Sequence, residues 1–295
     1  MDVALLTEKR YLLTKGDNWY VKNILYEDNL IATELSLLGL SCKRIAWDTN
    51  TDLSKFKYVL FRTTWNYFEK LEEFVLFLKS WNKKVEFINP YPQIIWNLDK
   101  KYLLDFQKAG INIPETFIVN QNQKIKLKDI CFKKKWNDVV VKPCISAGGW
   151  ETYFIKKSDI QNFEPQFAEL IKKQNMIVQV FQKNILSFGE VSLMMIDQKF
   201  SHAVIKKAKK GDFRVQDDYG GTVVNYAPSS QLVLFAENII KNLDFKPTYS
   251  RVDIILDNNS QFALSELELI EPEMWFRFNP PSSKRLALAI KNQFF

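Results

Sequence analysis

Residues 251–272 read RVDIILDNNSQFALSELELIEP, two apolar runs either side of Asp257-Asn258-Asn259-Ser260. Asp, Asn and Ser favour turns because their short polar side chains hydrogen-bond the local backbone, so the stretch predicts a β-hairpin. Side chains alternate along a strand, which points Glu266 and Glu268 to one face and Leu267 and Leu269 to the other. Asp253 lies on the partner strand and joins them if the hairpin pairs as written. Two carboxylates about 5 Å apart repel by roughly 3 kcal/mol at an effective dielectric of about 20, so a cation is expected among them. Hard oxygen donors with no neighbouring His or Cys suit Mg²⁺, with Mn²⁺ as the alternative, beside a nucleotide phosphate. An isolated Glu-x-Glu would read as a solvated strand face, and the rest of the chain has to decide between the two.

A chain of 295 residues is too long for one small core, and two or three subdomains are expected. The composition, 46% apolar and 25% charged, is that of a folded soluble protein. A net charge of +7 suits an anionic ligand or a nucleic-acid surface equally well. No helix-turn-helix, zinc or aromatic RNA-binding pattern accompanies it, so no nucleic-acid partner is expected. The lysines at 133–135 and at Lys206, Lys207, Lys209 and Lys210 read as solvated faces. Cys42, Cys131 and Cys144 lie far apart with no CxxC, as reduced thiols of a cytoplasmic protein do. Charged residues interrupt the apolar start, against a signal peptide, and no run nears the roughly 20 apolar residues of a membrane span. The single histidine, His202, sits in an apolar strand and reads as structural.

The first third alternates strands (2–6, 42–47, 58–61, 85–88) with helices (24–38, 71–81), the pattern of a parallel sheet covered by helices. Ligands of such sheets bind beyond the carboxyl ends of the strands. That singles out Arg62, Thr63, Thr64 and Trp65, with Asn66 and Tyr67, as a substrate wall in which Arg62 pairs a substrate carboxylate. The competing reading is a packed aromatic loop at a domain interface. One helix is expected over 98–109, ended by Gly110. Strands at 115–119, 138–142 and 152–155 and a helix at 158–172 make a smaller mixed unit. Strands dominate from 177 on (177–181, 190–196, 200–206), followed by a polar loop at 209–221, a helix at 232–243, the hairpin and a last helix at 283–293 capped by Ser282 or Ser283. The divisions expected are 1–98, 99–178 and 179–295.

Lys142 closes the run Val139-Val140-Val141 and precedes Ser146-Ala147-Gly148-Gly149. A cation at a strand end, facing free backbone N–H groups, can cradle phosphate. A plain hairpin turn is the alternative, since neither GxxxxGK[ST] nor GxGxxG is present.

The order of these features resembles the ATP-grasp superfamily: Lys142 and its glycine loop, the strand at 177–181, Glu190, Lys206, then Asp253, Glu266 and Glu268. The chain is most similar to the carboxylate-amine ligase branch that includes glutathione synthetase and the cycloserine ring-closing synthetase. The likeness runs through RTTWNY at 62–67, WNLDK at 96–100, VKP and SAGG at 141–149, SHAVIKK at 201–207, GDFRVQ and YGG at 211–221 and ELELIEP at 266–272. It implies an α/β fold of α+β subdomains: an N-terminal parallel-sheet domain, a small central lid and a C-terminal antiparallel-sheet domain. It also implies that Lys100 and Lys142 hold ATP phosphates, with Ser146, Gly148 and Gly149 in the loop closing over them. Gln179, Val180 and Phe181 would meet adenine and Glu190 the ribose. Asp253, Glu266 and Glu268 would ligate magnesium; the family often has Asn at the last position, so Glu268 adds a charge. Lys206 and Arg214 would face the transferred phosphoryl group and the acyl phosphate. Trp275, Phe276 and Arg277 could line the acceptor pocket or close the core edge.

The activity implied is joining a carboxylate to an amine, or closing a ring, through an acyl phosphate with release of ADP. Magnesium and several cations offset the charge that phosphoryl transfer crowds together. Amino-acid-like carboxylates and amines are the partners expected, a peptide the alternative, and a homodimer is compatible with the sequence. A ligase acting on protein, and a nucleotide-binding regulator without turnover, are the competing functions.

Overall fold

The computed structural model describes residues 1–12, 18–215 and 220–295. Gln216 and Tyr219, in the two motifs of the 209–221 loop, lie outside the described residues.

The chain opens with β1 (Val3–Thr7), α1 (Lys9–Leu12), α2 (Trp19–Leu37), β2 (Cys42–Ala46), β3 (Tyr58–Thr63), α3 (Leu71–Trp81) and β4 (Glu86–Ile88). All pairings are parallel, in the order β2-β1-β3-β4. Asn18 starts α2 by accepting from the Val21 amide at 2.9 Å, and Ile24, Ile31 and Leu35 form its buried stripe.

Two helices follow, α4 (Tyr91–Leu98) and α5 (Tyr102–Lys108), where one was expected over 98–109. Asp99 is extended at φ −102°, ψ 113°, which breaks the helical run. Pro92 sits in the first turn of α4, where a proline's missing N–H costs nothing.

The central unit contains β5 (Thr116–Val119), α6 (Leu127–Lys134), β6 (Val139–Pro143), β7 (Tyr153–Ile155), α7 (Ile160–Lys173) and β8 (Met176–Val180). Its sheet runs β5-β8-β6-β7, all antiparallel. The sequence reading had no counterpart to α6, because its lysine run obscured the buried Leu127, Ile130 and Cys131.

The last unit is built on β9 (Glu190–Ile196), β10 (Lys199–Lys207), β11 (Thr222–Tyr226), α8 (Ser230–Lys241), β12 (Tyr249–Leu256), β13 (Phe262–Glu268) and α9 (Pro281–Phe294). Its sheet runs β11-β10-β9-β12-β13. The half-exposed β11 was also not anticipated. Ser282 and Ser283 do not cap α9: Pro280 is its N-cap, and Ser283 donates back to the Pro280 carbonyl at 2.7 Å.

Buried polar contacts seam the first sheet to the last. Asn89 donates to the carbonyls of Tyr249 at 2.9 Å and Leu269 at 2.8 Å and accepts from the Thr248 amide at 2.7 Å. The Tyr249 hydroxyl reaches the Ile270 carbonyl at 2.7 Å.

Arg62, expected to meet a substrate carboxylate, is 2% exposed and belongs to this seam. It pairs with Glu27, lies 3.5 Å from Asp28 and donates to the Pro272 carbonyl at 3.2 Å. Glu27 in turn accepts from the Met274 amide at 2.8 Å and the Phe276 amide at 3.1 Å. Removing one member of a buried ion pair costs about 3–5 kcal/mol, because the other charge is left unpaired. Arg62→Met is expected to lower the unfolding free energy by about that much, read from the urea midpoint, and the double variant with Glu27→Gln to recover part of it. A loss within about 0.5 kcal/mol, the range of an ordinary surface substitution, would show that the pair is not structural.

Candidate active site

Antiparallel pairing sets Asp253 opposite Glu266 and Arg251 opposite Glu268 on the hairpin, Ser192 opposite Asp253 on β9, and Lys206 of β10 opposite Glu190. One face of the sheet therefore carries alternating charge. Lys206 bridges Glu190 at 2.5 Å and Asp253 at 3.1 Å. Arg251 bridges Asp253 at 2.9 Å and Glu268. Asp253 also accepts from the Ser192 hydroxyl at 2.6 Å. Lys100, just after α4, lies 3.1 Å from Glu266 and donates to the Ser146 carbonyl at 2.6 Å.

These residues line a cavity of about 680 Å³ to which all three units contribute. Lys142, Ser146, Gly148, Gly149, Gln179, Val180, Phe181, Glu190, Lys206 and Arg214 line it, as do Asp253, Glu266 and Glu268. Gly148 and Gly149 adopt φ +58° and +71°, the left-handed region that favours glycine, at the bend after β6. The Gln179 side chain donates to the Thr116 hydroxyl at 2.9 Å, and Phe181 packs on Phe154 with ring centroids 4.2 Å apart. Arg214 pairs with Asp212 at 2.8 Å, and hydrogen bonding from Arg214 holds the Asp212 carboxyl down at about 2.

Burial disfavours the charge on Lys206, but Asp253 and Glu190 outweigh it and raise its pKa. Burial likewise opposes ionisation of Asp253, and Arg251 and Lys206 overcome it, holding the carboxyl low. Lys142 is pushed down by burial and then by Lys100, despite the attraction of Glu266. Burial pushes Glu268 up to about 7, against the pull of Arg251 and with the repulsion of Glu266.

The expected metal set needs one correction. Asp253, Glu266 and Glu268 share the face, but among the described residues no group of three or more acidic, His or Cys side chains stands ready to hold a metal ion. Each carboxylate is turned to a cation instead. The donors still fit a hard divalent ion: they are all oxygen, and the side chains of Glu266 and Glu268 are 29% and 26% exposed towards the cavity they line.

Of the substrate wall, Trp65 lines the cavity, and Arg62, Thr63 and Thr64 do not. Thr63 is 4% exposed with its hydroxyl against that of Thr7, and Thr64 is fully buried. Inward-facing residues of a parallel strand end in the core, so only the residues past β3 reach ligand space. Tyr67 and Trp275 line the cavity and Phe276 is fully buried. Sequence reasoning missed Arg251 and Glu271. Arg251 was legible, two residues before Asp253 and so on the same strand face. Glu271 follows the end of β13, where strand alternation no longer places a side chain.

Residues 99–264 match the family described as prokaryotic glutathione synthetase, ATP-grasp domain. The chain belongs to this ATP-grasp family. Residues 3–89 match the N-terminal domain of D-cycloserine synthetase DcsG. The cycloserine biosynthesis protein DcsG of Streptomyces lavendulae is 25% identical over 276 residues, covering 86% of this chain and 89% of that protein. Among solved structures, D-cycloserine synthetase DcsG superposes with a TM-score of 0.85 at 22% identity, covering 99% of both chains. D-alanine–D-alanine ligase from Bacillus anthracis, complexed with ATP, superposes at 0.66 with 12% identity, covering 99% of this chain and 96% of that one. At these identities the likeness fixes the fold, a mixed α/β ATP-grasp architecture with one parallel and two antiparallel sheets.

Within this ATP-grasp site Gly189, at φ +90°, is the tightest backbone approach, since a Cβ there would lie 2.3 Å from the Lys206 carbonyl. Gly189→Ala is expected to cost about 1–3 kcal/mol and to displace Lys206 from Glu190. Gly148→Ala meets nothing within 4 Å and bears only the strain of its φ of +58°, about 1 kcal/mol. Chemical denaturation of the two variants checks the ranking, and equal losses would contradict it.

Proposed function

We propose that this chain is an ATP- and magnesium-dependent ligase that joins an amino-acid-like carboxylate to an amine, or closes a ring, through an acyl phosphate, releasing ADP and phosphate. The observation that carries the reading is the cavity face on which Lys100, Lys142, Lys206 and Arg251 interleave with Glu190, Asp253, Glu266 and Glu268 in a chain of the ATP-grasp family. The relative named for cycloserine biosynthesis supports a small amino-acid-like substrate. Residues 99–178 act as the lid subdomain between an N-terminal substrate domain, 1–98, and a C-terminal catalytic domain, 179–295.

In this mechanism Lys100 and Lys142 bind the ATP phosphates, and the loop of Ser146, Gly148 and Gly149 closes over them. Gln179, Val180 and Phe181 hold the adenine and Glu190 the ribose. Glu266 and Glu268, with Asp253 behind them, would hold magnesium, whose charge would steady the transferred phosphoryl oxygens. Lys206 and Arg214 present cations to the developing charge, where fixed dipoles and charges act most strongly in a water-poor site.

No enzyme nucleophile is needed, and the thiols are poor ones. Burial pushes Cys131 up to about 11 and Cys144 up to about 12, leaving little thiolate at neutral pH.

The test is ADP release from Mg-ATP with pooled amino acids and O-substituted serines, with and without hydroxylamine. ADP together with a trapped hydroxamate is the expected result; AMP would replace the acyl phosphate with an acyl adenylate and overturn the reading. Glu266→Gln, and separately EDTA, are expected to abolish turnover while the thermal midpoint of the variant stays within a few degrees of the parent. Unchanged turnover in Glu266→Gln would remove Glu266 from the metal set.

A further inference from the structure

The mechanism leaves one buried carboxylate of the cavity without a task. Glu271 is 8% exposed and lines the cavity. Its backbone carbonyl accepts from the Trp65 indole at 3.0 Å, but its carboxylate has no hydrogen bond or ion pair among the described residues. Of the other carboxylates lining the cavity, Glu69 is exposed and the rest are engaged: Glu190 and Asp253 with Lys206, Glu266 with Lys100, Glu268 with Arg251, Glu273 with Arg277. The Glu271 oxygens are not sealed off from the cavity, so the carboxylate is placed to meet a ligand there.

Its surroundings say what that partner is. Trp65, Tyr67 and Trp275 line the same cavity, and aromatic faces attract cations and repel anions. The Trp275 indole N–H, on a residue only 4% exposed, is a buried polar group with no partner among the described residues. Trp275 is also held in the left-handed region at φ 54°, a strained placement for a bulky residue. Burial, then Glu268, pushes the Glu271 carboxyl up to about 8, so by itself it favours its protonated form at neutral pH and an arriving cation restores the carboxylate.

We infer that Glu271, walled by Trp65, Tyr67 and Trp275, binds the substrate's ammonium group and takes its proton, so that the second substrate enters as a primary ammonium and leaves as an amide nitrogen. The inference rests on the ligase reading above and assigns its second half-reaction. The ammonium gives one proton to the Glu271 carboxylate. The freed nitrogen lone pair then forms the C–N bond to the acyl carbon, the C–O bond to phosphate breaks, and phosphate leaves with that electron pair. The second proton on nitrogen goes to the departing phosphate, and Glu271 returns its own to solvent. The first half-reaction does not involve Glu271.

Hydroxylamine separates the two halves, because it is largely uncharged at neutral pH and attacks an acyl phosphate without a base. With Mg-ATP and the amino-acid and O-substituted serine pool, Glu271→Gln is expected to lower amide or ring formation by about 100-fold or more, with hydroxamate formation reduced less than about threefold. Trp275→Phe, which keeps the ring and removes the N–H, is expected to raise the KM for the amine severalfold with kcat nearly unchanged. Equal loss of hydroxamate and amide in Glu271→Gln would make the residue structural and overturn the inference, as would amide formation at the parental rate. Absence of hydroxamate from the parent protein would overturn the ligase reading itself, and the assignment of Glu271 with it.

Discussion

Charge placed inside a protein has to be matched, and the face of β9, β10, β12 and β13 is arranged by that requirement. Asp253 is 2% exposed, Lys206 4%, Glu190 7% and Arg251 8%. Two unit charges about 4 Å apart interact by roughly 4 kcal/mol at an effective dielectric of about 20, enough to decide protonation and register together. Lys206 therefore sits between Glu190 and Asp253, and Arg251 between Asp253 and Glu268. A slip of one residue on any of these strands would turn its charged row into the core of Val191, Leu193, Val252, Ile254 and Leu267 and expose the apolar row. Hydrophobic burial and charge pairing select the same register.

The balance is also incomplete at Lys142, which is where nucleotide chemistry would enter. Lys142 is destabilised as a cation by burial and by Lys100, and no carboxylate of the described residues lies within ion-pair distance of it. Under the proposed mechanism the triphosphate supplies the missing anion, and Glu266, which pairs with Lys100, would also hold magnesium. The electrostatic work of binding is then mostly exchange of partners already in place, so little reorganisation is left for the phosphoryl-transfer step itself.

How much of this was legible follows from what strand periodicity can and cannot carry. Asp257-Asn258-Asn259-Ser260 announced the hairpin, and alternation put Glu266 and Glu268 on one face, because both signals are local. Ser192 and Arg251 joined that face through pairing across β9, β12 and β13, which no local pattern states, although the spacing of Arg251 and Asp253 offered a hint. Arg62 misled because a cation at a strand end resembles a ligand group equally well whether its partner is a substrate or Glu27 on a helix far earlier in the chain. Asp99 broke a run that propensity alone would have left as one helix. Gly148 and Gly149 line the cavity at the bend after β6, a placement that two glycines after a strand do not announce by themselves, since they also make an ordinary turn.

The same misread arginine explains how the acceptor side of the cavity is held. The segment after β13 has no strand pairing of its own, yet it carries Glu271 and Trp275. Arg62 holds the Pro272 carbonyl, Glu27 holds the amides of Met274 and Phe276, and Trp65 holds the Glu271 carbonyl. Every one of those anchors comes from α2 or from the end of β3, in the first unit, while the charged sheet comes from the last. Under the proposed function, nucleotide chemistry and acceptor choice are thus carried by different parts of the chain that meet at residues 269–278. On that reading, changes in the first unit would reshape the acceptor wall without disturbing the charge register of the sheet, a route by which one ATP-using scaffold serves different amines.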